Sequence, residues 1–170
     1  KNKDKLGIFM NNLDVAKKAL QITIDALEVG KESINAEFSD SVELIKKRVP
    51  PGRLIVMGMG KSGHIGSKLA ATFASTGTPA FFVHPAEAGH GDLGMIAKDD
   101  IILAISQSGE SDELMKLIPF IKKNNIPLIS LTGGKNSSLY EHSNLVIDTS
   151  IAKEACPLDL APTASTSLTL

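Results

Sequence analysis

Two apolar runs that end in loops of small residues constrain the fold of this chain more than any other feature. Residues 53–57 lead into Gly58-Met59-Gly60-Lys61-Ser62-Gly63, and residues 101–105 lead into Ser106-Gln107-Ser108-Gly109-Glu110-Ser111. A helical pattern follows each loop. Glycines let an anion approach the backbone, and free N–H groups at the next helix start point toward it. Two such loops in one short chain predict a phosphorylated small molecule held from two sides.

Composition excludes several classes of protein. The chain has 170 residues, which suits one domain, and its net charge of −1 comes from interspersed signs. This charge, with no tryptophan and one tyrosine, disfavours a nucleic-acid partner. Cys156 is the single cysteine, so no disulfide framework exists, and a reducing compartment is indicated. No apolar run approaches membrane-spanning length, so we expect a cytoplasmic protein without a membrane partner.

The spacing of apolar residues predicts an N-terminal helical segment, residues 1–50. A period near 3.6 residues extends from about 11 to 48. One apolar stripe comprises Leu13, Ala16, Leu20, Ile24 and Leu27, and a second comprises Ile34, Phe38, Val42 and Ile45. Gly30 either ends the first helix or weakens it by about 1 kcal/mol. Pro50-Pro51-Gly52 then stops the helix.

The remaining residues, 51–170, predict an α/β core. Short apolar runs predict strands at 54–57, 79–83, 101–105, 127–131 and 145–147, and helical patterns at 65–75, 112–123 and 137–142 alternate with them. This alternation predicts a five-stranded parallel sheet with helices on both faces, flavodoxin-like and preceded by the N-terminal helices. Ligands of such sheets bind at the carboxyl ends of the strands, where both loops fall. Residues 161–170 resemble a helix start that is cut off, so we expect the single domain to continue beyond this chain.

The first loop has the G-x-G-x-x-G spacing of dinucleotide sites. The acidic residue that should follow about 20 residues later is replaced by Val83-His84-Pro85, which disfavours NAD and FAD, and we expect no cofactor. The P-loop spacing is absent as well. On this loop alone, the glycines serve either a ligand or only a tight strand-to-helix turn.

The second loop carries more hydroxyl groups than a helix cap requires. Ser111 alone would serve as an N-cap, but three serines and Gln107 surround Gly109. A phosphate dianion accepts several hydrogen bonds, and hydroxyl and backbone N–H groups supply them. The loop therefore predicts a phosphate site.

Three further positions carry candidate chemistry. His90 and Asp92 lie among glycines before the third strand, where a plain surface turn is as good an interpretation as function. With His84 they fit no standard metal signature, so we expect no metal. Glu154 follows the fifth strand and could remove a proton from carbon if burial raised its pKa. The alternative interpretation is that Glu154 is a solvated surface glutamate without a catalytic role. Cys156 beside Pro157 is more typical of inert packing than of a nucleophile.

The combination of these segments closely resembles the sugar isomerase (SIS) domain of D-arabinose 5-phosphate isomerases. The resemblance is carried by residues 58–66, 73–79, 84–94, 106–111 and 153–157. It extends from about residue 53 to the end and, more loosely, over the N-terminal helices. It implies reversible conversion of D-ribulose 5-phosphate to D-arabinose 5-phosphate, the precursor of the octulosonate sugar (Kdo) of lipopolysaccharide or of some capsules.

The resemblance also implies roles for individual residues. The catalytic candidates are Lys61, Glu113 and Glu154. The substrate-binding candidates are Gly60, Ser62, His90, Ser106, Gln107, Ser108 and Ser111. Family members form dimers of dimers, so we expect a homo-oligomer. A Ser-His-Pro-Gly-Gly segment and a C-terminal pair of CBS domains, both typical of the family, do not occur in this sequence.

An aldose–ketose isomerisation through an enediol needs a base for a carbon-bound proton and stabilisation of the developing oxyanion. We expect Glu154 to move the proton between C1 and C2 and Lys61 to stabilise the enediolate or the phosphate. Glu113 would assist at a hydroxyl or position Lys61. The alternative is a non-catalytic regulatory module that binds a sugar phosphate, although no basic helix-turn-helix pattern precedes the core.

Overall fold

A computed structural model describes residues 11–170. The helices are α1 (Asn12–Ser33), α2 (Ala36–Arg48), α3 (Gly60–Ser75), α4 (Pro85–Gly89), α5 (Asp112–Met115), α6 (Ile118–Lys123), α7 (Ser138–His142) and α8 (Ala164–Thr169). The strands are β1 (Leu54–Gly58), β2 (Ala80–Phe82), β3 (Ile101–Ile105), β4 (Leu128–Thr132) and β5 (Leu145–Asp148). A 3₁₀ turn, Asp92–Met95, lies between α4 and β3. None of the helices within residues 11–170 is long and apolar enough to cross a bilayer.

The five strands form one parallel sheet in the order β2-β1-β3-β4-β5. Leu54 in β1 is in register with Ala80 in β2 and with Ile101 in β3. The chain therefore leaves β1 in one direction and crosses to β3 in the other, which creates a switch point beside β1. The expected five-stranded parallel α/β fold is confirmed.

Helices cover both faces of the sheet, which explains the continuous apolar strands. Every residue of β1, β3 and β4 is buried, as expected for central strands covered on two sides. On one face, the core around Ile55 and Ile102 includes Leu114 of α5 and Leu139 of α7. On the other face, Val56 belongs to a core to which α2 and α3 contribute.

The helices that follow the sheet strands end where the sequence predicts, but two of them begin at a different residue and one is divided. α3 begins at Gly60 rather than at residue 65, so it includes the end of the first glycine loop. The helix predicted at 112–123 is divided into α5 and α6, and Pro119 lies in the first turn of α6. Proline fits a first turn because its missing N–H would have no intrahelical partner there. α4 and the 3₁₀ turn were not predicted.

The predicted apolar stripe of α1 faces away from the described domain. Leu13, Leu20, Ile24 and Leu27 remain 71%, 66%, 46% and 42% exposed. The buried residues of α1 are instead small, Ala26 and Gly30. Periodicity identifies an apolar face, but it does not say which of two faces packs against the same chain.

Gly30 lies inside α1 and does not end it, because the helix continues to Ser33. A Cβ at Gly30 would overlap Cδ1 of Leu168 in α8. The missing side chain thus allows close packing of the two helices. Asn35 caps α2, where its side chain accepts a hydrogen bond of 2.8 Å from the N–H of Glu37.

An ion pair between the buried Asp100 and the half-buried Arg53 joins the amino ends of β1 and β3. Asp100 is 1% exposed and accepts hydrogen bonds from the Arg53 main chain (2.9 Å) and from its guanidinium (3.1 and 2.7 Å). The N–H of Ala97 adds a fourth bond of 2.8 Å. The guanidinium also lies 5.0 Å from the ring centroid of Phe81, at cation–π distance.

Candidate active site

The first glycine loop opens at the carboxyl end of β1. Gly60 has φ +51°, and a Cβ there would meet no atom within 4 Å, so this residue faces open space in a conformation that favours glycine. α3 begins at Gly60 without a side-chain cap. Its first N–H groups therefore have no intrahelical acceptor, and Lys61 and Ser62 stand in this turn.

The flanking glycines of this loop have a packing role. A Cβ at Gly63 would lie 2.7 Å from the carbonyl oxygen of Gly58, and one at Gly58 would lie 2.9 Å from the carbonyl of Ser62. The packing interpretation thus applies to two of the glycines, and the ligand interpretation stays a prediction for Gly60. Gly58 and Gly63 allow the strand and the helix to meet closely, whereas Gly60 keeps the loop accessible.

The serine loop after β3 is a tight, internally bonded turn. The hydroxyls of Ser106 and Ser111 are 2.9 Å apart, and Ser106 Oγ accepts the N–H of Gly109 at 3.1 Å. Gly109 has φ +71°, which favours glycine. Ser108 is exposed, and its Oγ accepts the N–H of Glu110 at 3.2 Å.

Neighbouring segments brace this loop from the β4 and β5 side. The N–H of Ser138 donates to Glu110 Oε1 at 2.8 Å, and this bond lowers the pKa of Glu110. The N–H of Gly133 donates to the Gln107 carbonyl at 3.1 Å, and Gln107 Nε2 donates to the Thr149 carbonyl at 3.3 Å. The loop is therefore preorganised by contacts that a ligand does not need to supply.

One cavity brings three of the predicted site residues together. It has a volume of about 220 Å³ at the carboxyl edge of the sheet and includes Ser62, Gln107 and Glu154 in its lining. These residues come from α3, from the serine loop and from the segment after β5. The rest of the lining is Ile65, Asp159, Leu160, Pro162, Ser165, Thr166 and Thr169. A second cavity of about 430 Å³ between α2 and α3 is mainly apolar and contains no predicted site residue.

Glu154 caps the amino end of α8. Its Oε2 accepts hydrogen bonds from the Thr163 N–H (2.8 Å), the Thr163 hydroxyl (2.9 Å) and the Ser165 N–H (3.2 Å). Its Oε1 accepts the Ser165 hydroxyl. Partial burial raises the pKa of Glu154, but the bonds from Ser165 and Thr163 outweigh it, so the pKa lies below its ordinary value. The raised pKa that would favour a base is thus not found here, because burial comes with hydrogen bonds to the charged form.

The other predicted residues lie at the same edge without direct bonds to Glu154. Lys61 is exposed, and no ion pair in the described part of the chain involves it. An ion pair would have been one way for Glu113 to position Lys61, which was one of its two expected roles. Glu113 is half-buried in the first turn of α5. His90 is exposed at the end of α4. The roles of all three remain predictions.

Two residues near the cavity were missed in the sequence, Thr163 and Ser165. A signal was available, because hydroxyl side chains at the start of the last helical pattern are typical of a helix amino terminus. The sequence does not indicate that Glu154, nine and eleven residues earlier, is their partner. An ion pair of 3.1 Å between Lys135 and Asp148, beyond β4 and at the end of β5, was also missed.

The sequence also raised metal binding and thiol chemistry as alternatives. Across residues 11–170, no three His, Cys, Asp or Glu side chains come together as metal ligands. Cys156 is half-buried, and backbone N–H groups, chiefly those of Ala161 and Leu160, lower the pKa of its thiol.

The sheet order and the two carboxyl-edge loops define an α/β domain of the class that binds small ligands at a switch point. The chain belongs to the SIS domain family, whose model matches residues 49–170.

Relatives in sequence are arabinose 5-phosphate isomerases. KdsD of Francisella tularensis is 52% identical over 161 residues, which are 94% of this chain and 49% of the relative. KdsD of Escherichia coli K12 is 52% identical over 154 residues, which are 91% of this chain and 46% of the relative. The chain therefore spans about half the length of the curated relatives it matches.

A solved structure is similar over most of its length. It is the Escherichia coli CFT073 protein c3406 in complex with arabinose 5-phosphate, with a TM-score of 0.87 and 42% sequence identity. The similarity covers 94% of this chain and 85% of that protein.

Proposed function

We propose that this chain interconverts D-ribulose 5-phosphate and D-arabinose 5-phosphate through an enediol intermediate. The observation that carries the proposal is the cavity lined by Ser62, Gln107 and Glu154. Two side chains that can donate hydrogen bonds to a phosphate meet a carboxylate there. The named activity of the KdsD relatives and the arabinose 5-phosphate bound to c3406 support the same substrate. The product would supply Kdo synthesis for lipopolysaccharide or capsule.

The proposed phosphate site uses groups that are already oriented. The exposed Ser108 hydroxyl has no acceptor for its own hydrogen among the bonds of residues 11–170. Ser106 and Ser111 would exchange their mutual bond for bonds to phosphate oxygens, and Ser62 and Gln107 would contact the substrate from across the cavity. Binding of the remote phosphate would orient the reacting carbons.

The proposed chemistry is a proton transfer between adjacent carbons. Glu154 takes the proton from C1 of the ketose and returns it to C2, while the hydroxyl proton moves between O2 and O1. Lys61 supplies positive charge to the enediolate, and Glu113 assists at a hydroxyl. Glu154 is ionised at neutral pH, as the base requires, and its lowered pKa makes the carboxylate a weaker base for the first step but the carboxylic acid a stronger acid for the return step than an ordinary glutamic acid. Gly60 and His90 would border the substrate.

The proposal is tested by turnover. The longest form of the protein that its gene encodes is incubated with ribulose 5-phosphate, and arabinose 5-phosphate is followed by chromatography. Appearance of the product until equilibrium is expected. Tight binding of the sugar phosphate with no turnover would favour the regulatory module instead.

Glu154→Gln tests the proposed base. We expect kcat to fall by about 100-fold or more, with KM within about threefold, because general base catalysis contributes roughly 10²–10⁴ in rate. Exchange of solvent deuterium into the sugar should fall equally. Glu141→Gln is the control, since this exposed glutamate lies on α7 outside the cavity. Wild-type exchange in Glu154→Gln would exclude Glu154 as the base.

We further propose that the chain acts as a cytoplasmic homo-oligomer, a dimer of dimers. The exposed apolar stripe of α1 supports an oligomer because a second copy would cover it. We also treat residues 1–170 as part of one SIS domain. In support, Glu37 of α2 accepts the N–H of Val146 in β5 at 2.6 Å, and α1 packs on α8.

A further inference from the structure

The two oxygens of the Glu154 carboxylate are in unequal environments. Oε2 accepts three hydrogen bonds, two from Thr163 and one from the Ser165 N–H. Oε1 accepts only the hydroxyl of Ser165. An ionised carboxylate offers about four acceptor positions over its two oxygens. Oε2 is therefore saturated, and Oε1 retains the free acceptor position.

The side chains that make these bonds are fixed themselves. Ser165 is 3% exposed and lies in the first turn of α8, so its hydroxyl has little freedom to turn away. The Thr163 hydroxyl donates to Glu154 and accepts the N–H of Ala155 at 2.9 Å. The Glu154 main-chain N–H donates to Asp159 Oδ1 at 2.7 Å. The main-chain N–H and the carboxylate of Glu154 are thus both bonded to the segment 155–165.

We propose that Ser165 and Thr163 are positioning residues, which hold the Glu154 carboxylate so that Oε1 is the oxygen that exchanges the proton with the sugar. This inference rests on the proposed function of Glu154 as the base. It adds that α8 orients the base and that two hydroxyls keep it ionised.

The charges around Glu154 are few, which makes a pH test interpretable. α3 contributes Ser62 and Ile65 to the cavity, and the serine loop contributes Gln107, all of them neutral. α8 contributes only hydroxyl side chains, and Asp159 is the other ionisable residue of the lining. Two exposed lysines adjoin these residues in the chain, Lys153 before Glu154 and Lys61 before Ser62. A variant that removes a hydroxyl therefore changes the environment of Glu154 without removing a charge.

The test is the pH dependence of kcat in Ser165→Ala. Loss of a hydrogen bond to the ionised form raises the pKa of Glu154. The acid limb, which is the part of the pH profile where kcat falls with falling pH, should therefore move to higher pH by about one unit. The plateau kcat should fall by about tenfold, because a carboxylate that turns away is misplaced, and KM should stay within about twofold. Ser165→Thr, which keeps the hydroxyl, should restore the limb.

Controls separate positioning from folding. Ser167→Ala makes the same change two residues later, at an exposed side chain that bonds the Thr163 carbonyl and not Glu154, and should match the wild type. Thr163→Val removes the second hydroxyl and should shift the limb in the same direction as Ser165→Ala, which keeps the proposal testable if that variant does not fold. An unchanged acid limb and kcat in a folded Ser165→Ala or Thr163→Val would overturn the inference.

A titration without substrate separates this inference from the proposed function. The carboxyl carbon of Glu154 is followed by NMR in wild type and in Ser165→Ala. A higher pKa in the variant supports the positioning contacts even if the wild type shows no turnover, in which case only the isomerase activity fails. Equal pKa values in both proteins would exclude the contacts whatever the activity.

Discussion

For Asp100, hydrogen bonds compensate for the hydration that its carboxylate loses on burial. A carboxylate that is 1% exposed loses its hydration, but it receives hydrogen bonds from Arg53 and from the N–H of Ala97. Burial raises the pKa of Asp100, but the bonds from Arg53 and Ala97 together lower it by more, so the pKa lies below its ordinary value of 3.8. The ionised, paired form is thus the stable one.

Asp100→Asn should lower the free energy of unfolding by about 2–3 kcal/mol, measured by urea denaturation at pH 7. This is less than the roughly 3–5 kcal/mol typical when a fully buried pair is broken, because the Arg53 side chain is 39% exposed and water screens its charge. Asp99→Asn is the matched control at an exposed neighbour and should change stability by less than about 0.5 kcal/mol. Equal effects of the two variants would contradict the role of the pair.

The same variant gives a pH signature with a definite sign. Because the native pKa of Asp100 is depressed, its contribution is complete above the unfolded pKa, near 4, and is lost as the pH falls through the native pKa. Wild-type stability should therefore fall more steeply than that of Asp100→Asn on the acid side. Parallel curves from about pH 5 to pH 2.5 would exclude the effect.

At the residue scale, three of the predicted site residues line one cavity, and their hydrogen-bond partners were not predicted. Ser62, Gln107 and Glu154 were selected from three distant segments, and all three line one cavity. The bonds of Glu154 to Thr163 and Ser165 depend on the path of an irregular segment, for which no periodic signal exists. The same bonds explain why the pKa of this carboxylate lies below its ordinary value despite partial burial.

Among the elements, β1 and α3 pack so closely at the first loop that the need for glycine there can be tested. Gly63→Ala would place a Cβ 2.7 Å from the Gly58 carbonyl oxygen, a backbone atom that cannot turn away. Despite the better helix propensity of alanine, we expect a net loss of about 1–3 kcal/mol in unfolding free energy, measured by urea denaturation. Gly89→Ala is the control, because a Cβ there meets nothing within 4 Å. Equal stability of both variants would show that α3 can shift.

The elements themselves were predicted well where their pattern was strong. The strand at 101–105 has the predicted bounds, and the other strands differ by one residue at one or both ends. The errors concern short helices and the question of which face of α1 packs against the domain. α4 has five residues, too few for a helical period, and α1 packs through Ala26 and Gly30 rather than through its larger apolar side chains.

For the whole molecule, the outward stripe of α1 predicts self-association. Leu20→Asp combined with Ile24→Asp should reduce the mass measured by sedimentation equilibrium, because charges on a buried interface are costly. Val29→Asp is the control, since Val29 is also apolar and 57% exposed but lies on another side of α1. A monomeric wild type, or an unchanged mass in the double variant, would contradict the proposal.

The Arg53–Asp100 pair has a practical consequence for protein engineering. It fastens the amino ends of β1 and β3, whereas the glycine and serine loops leave the opposite ends of the same strands. Five residues at about 3.3 Å each separate the two edges by roughly 16 Å. Thermostabilising substitutions can therefore be sought around the amino edge and screened by melting temperature alone, with little risk to the geometry of the loops.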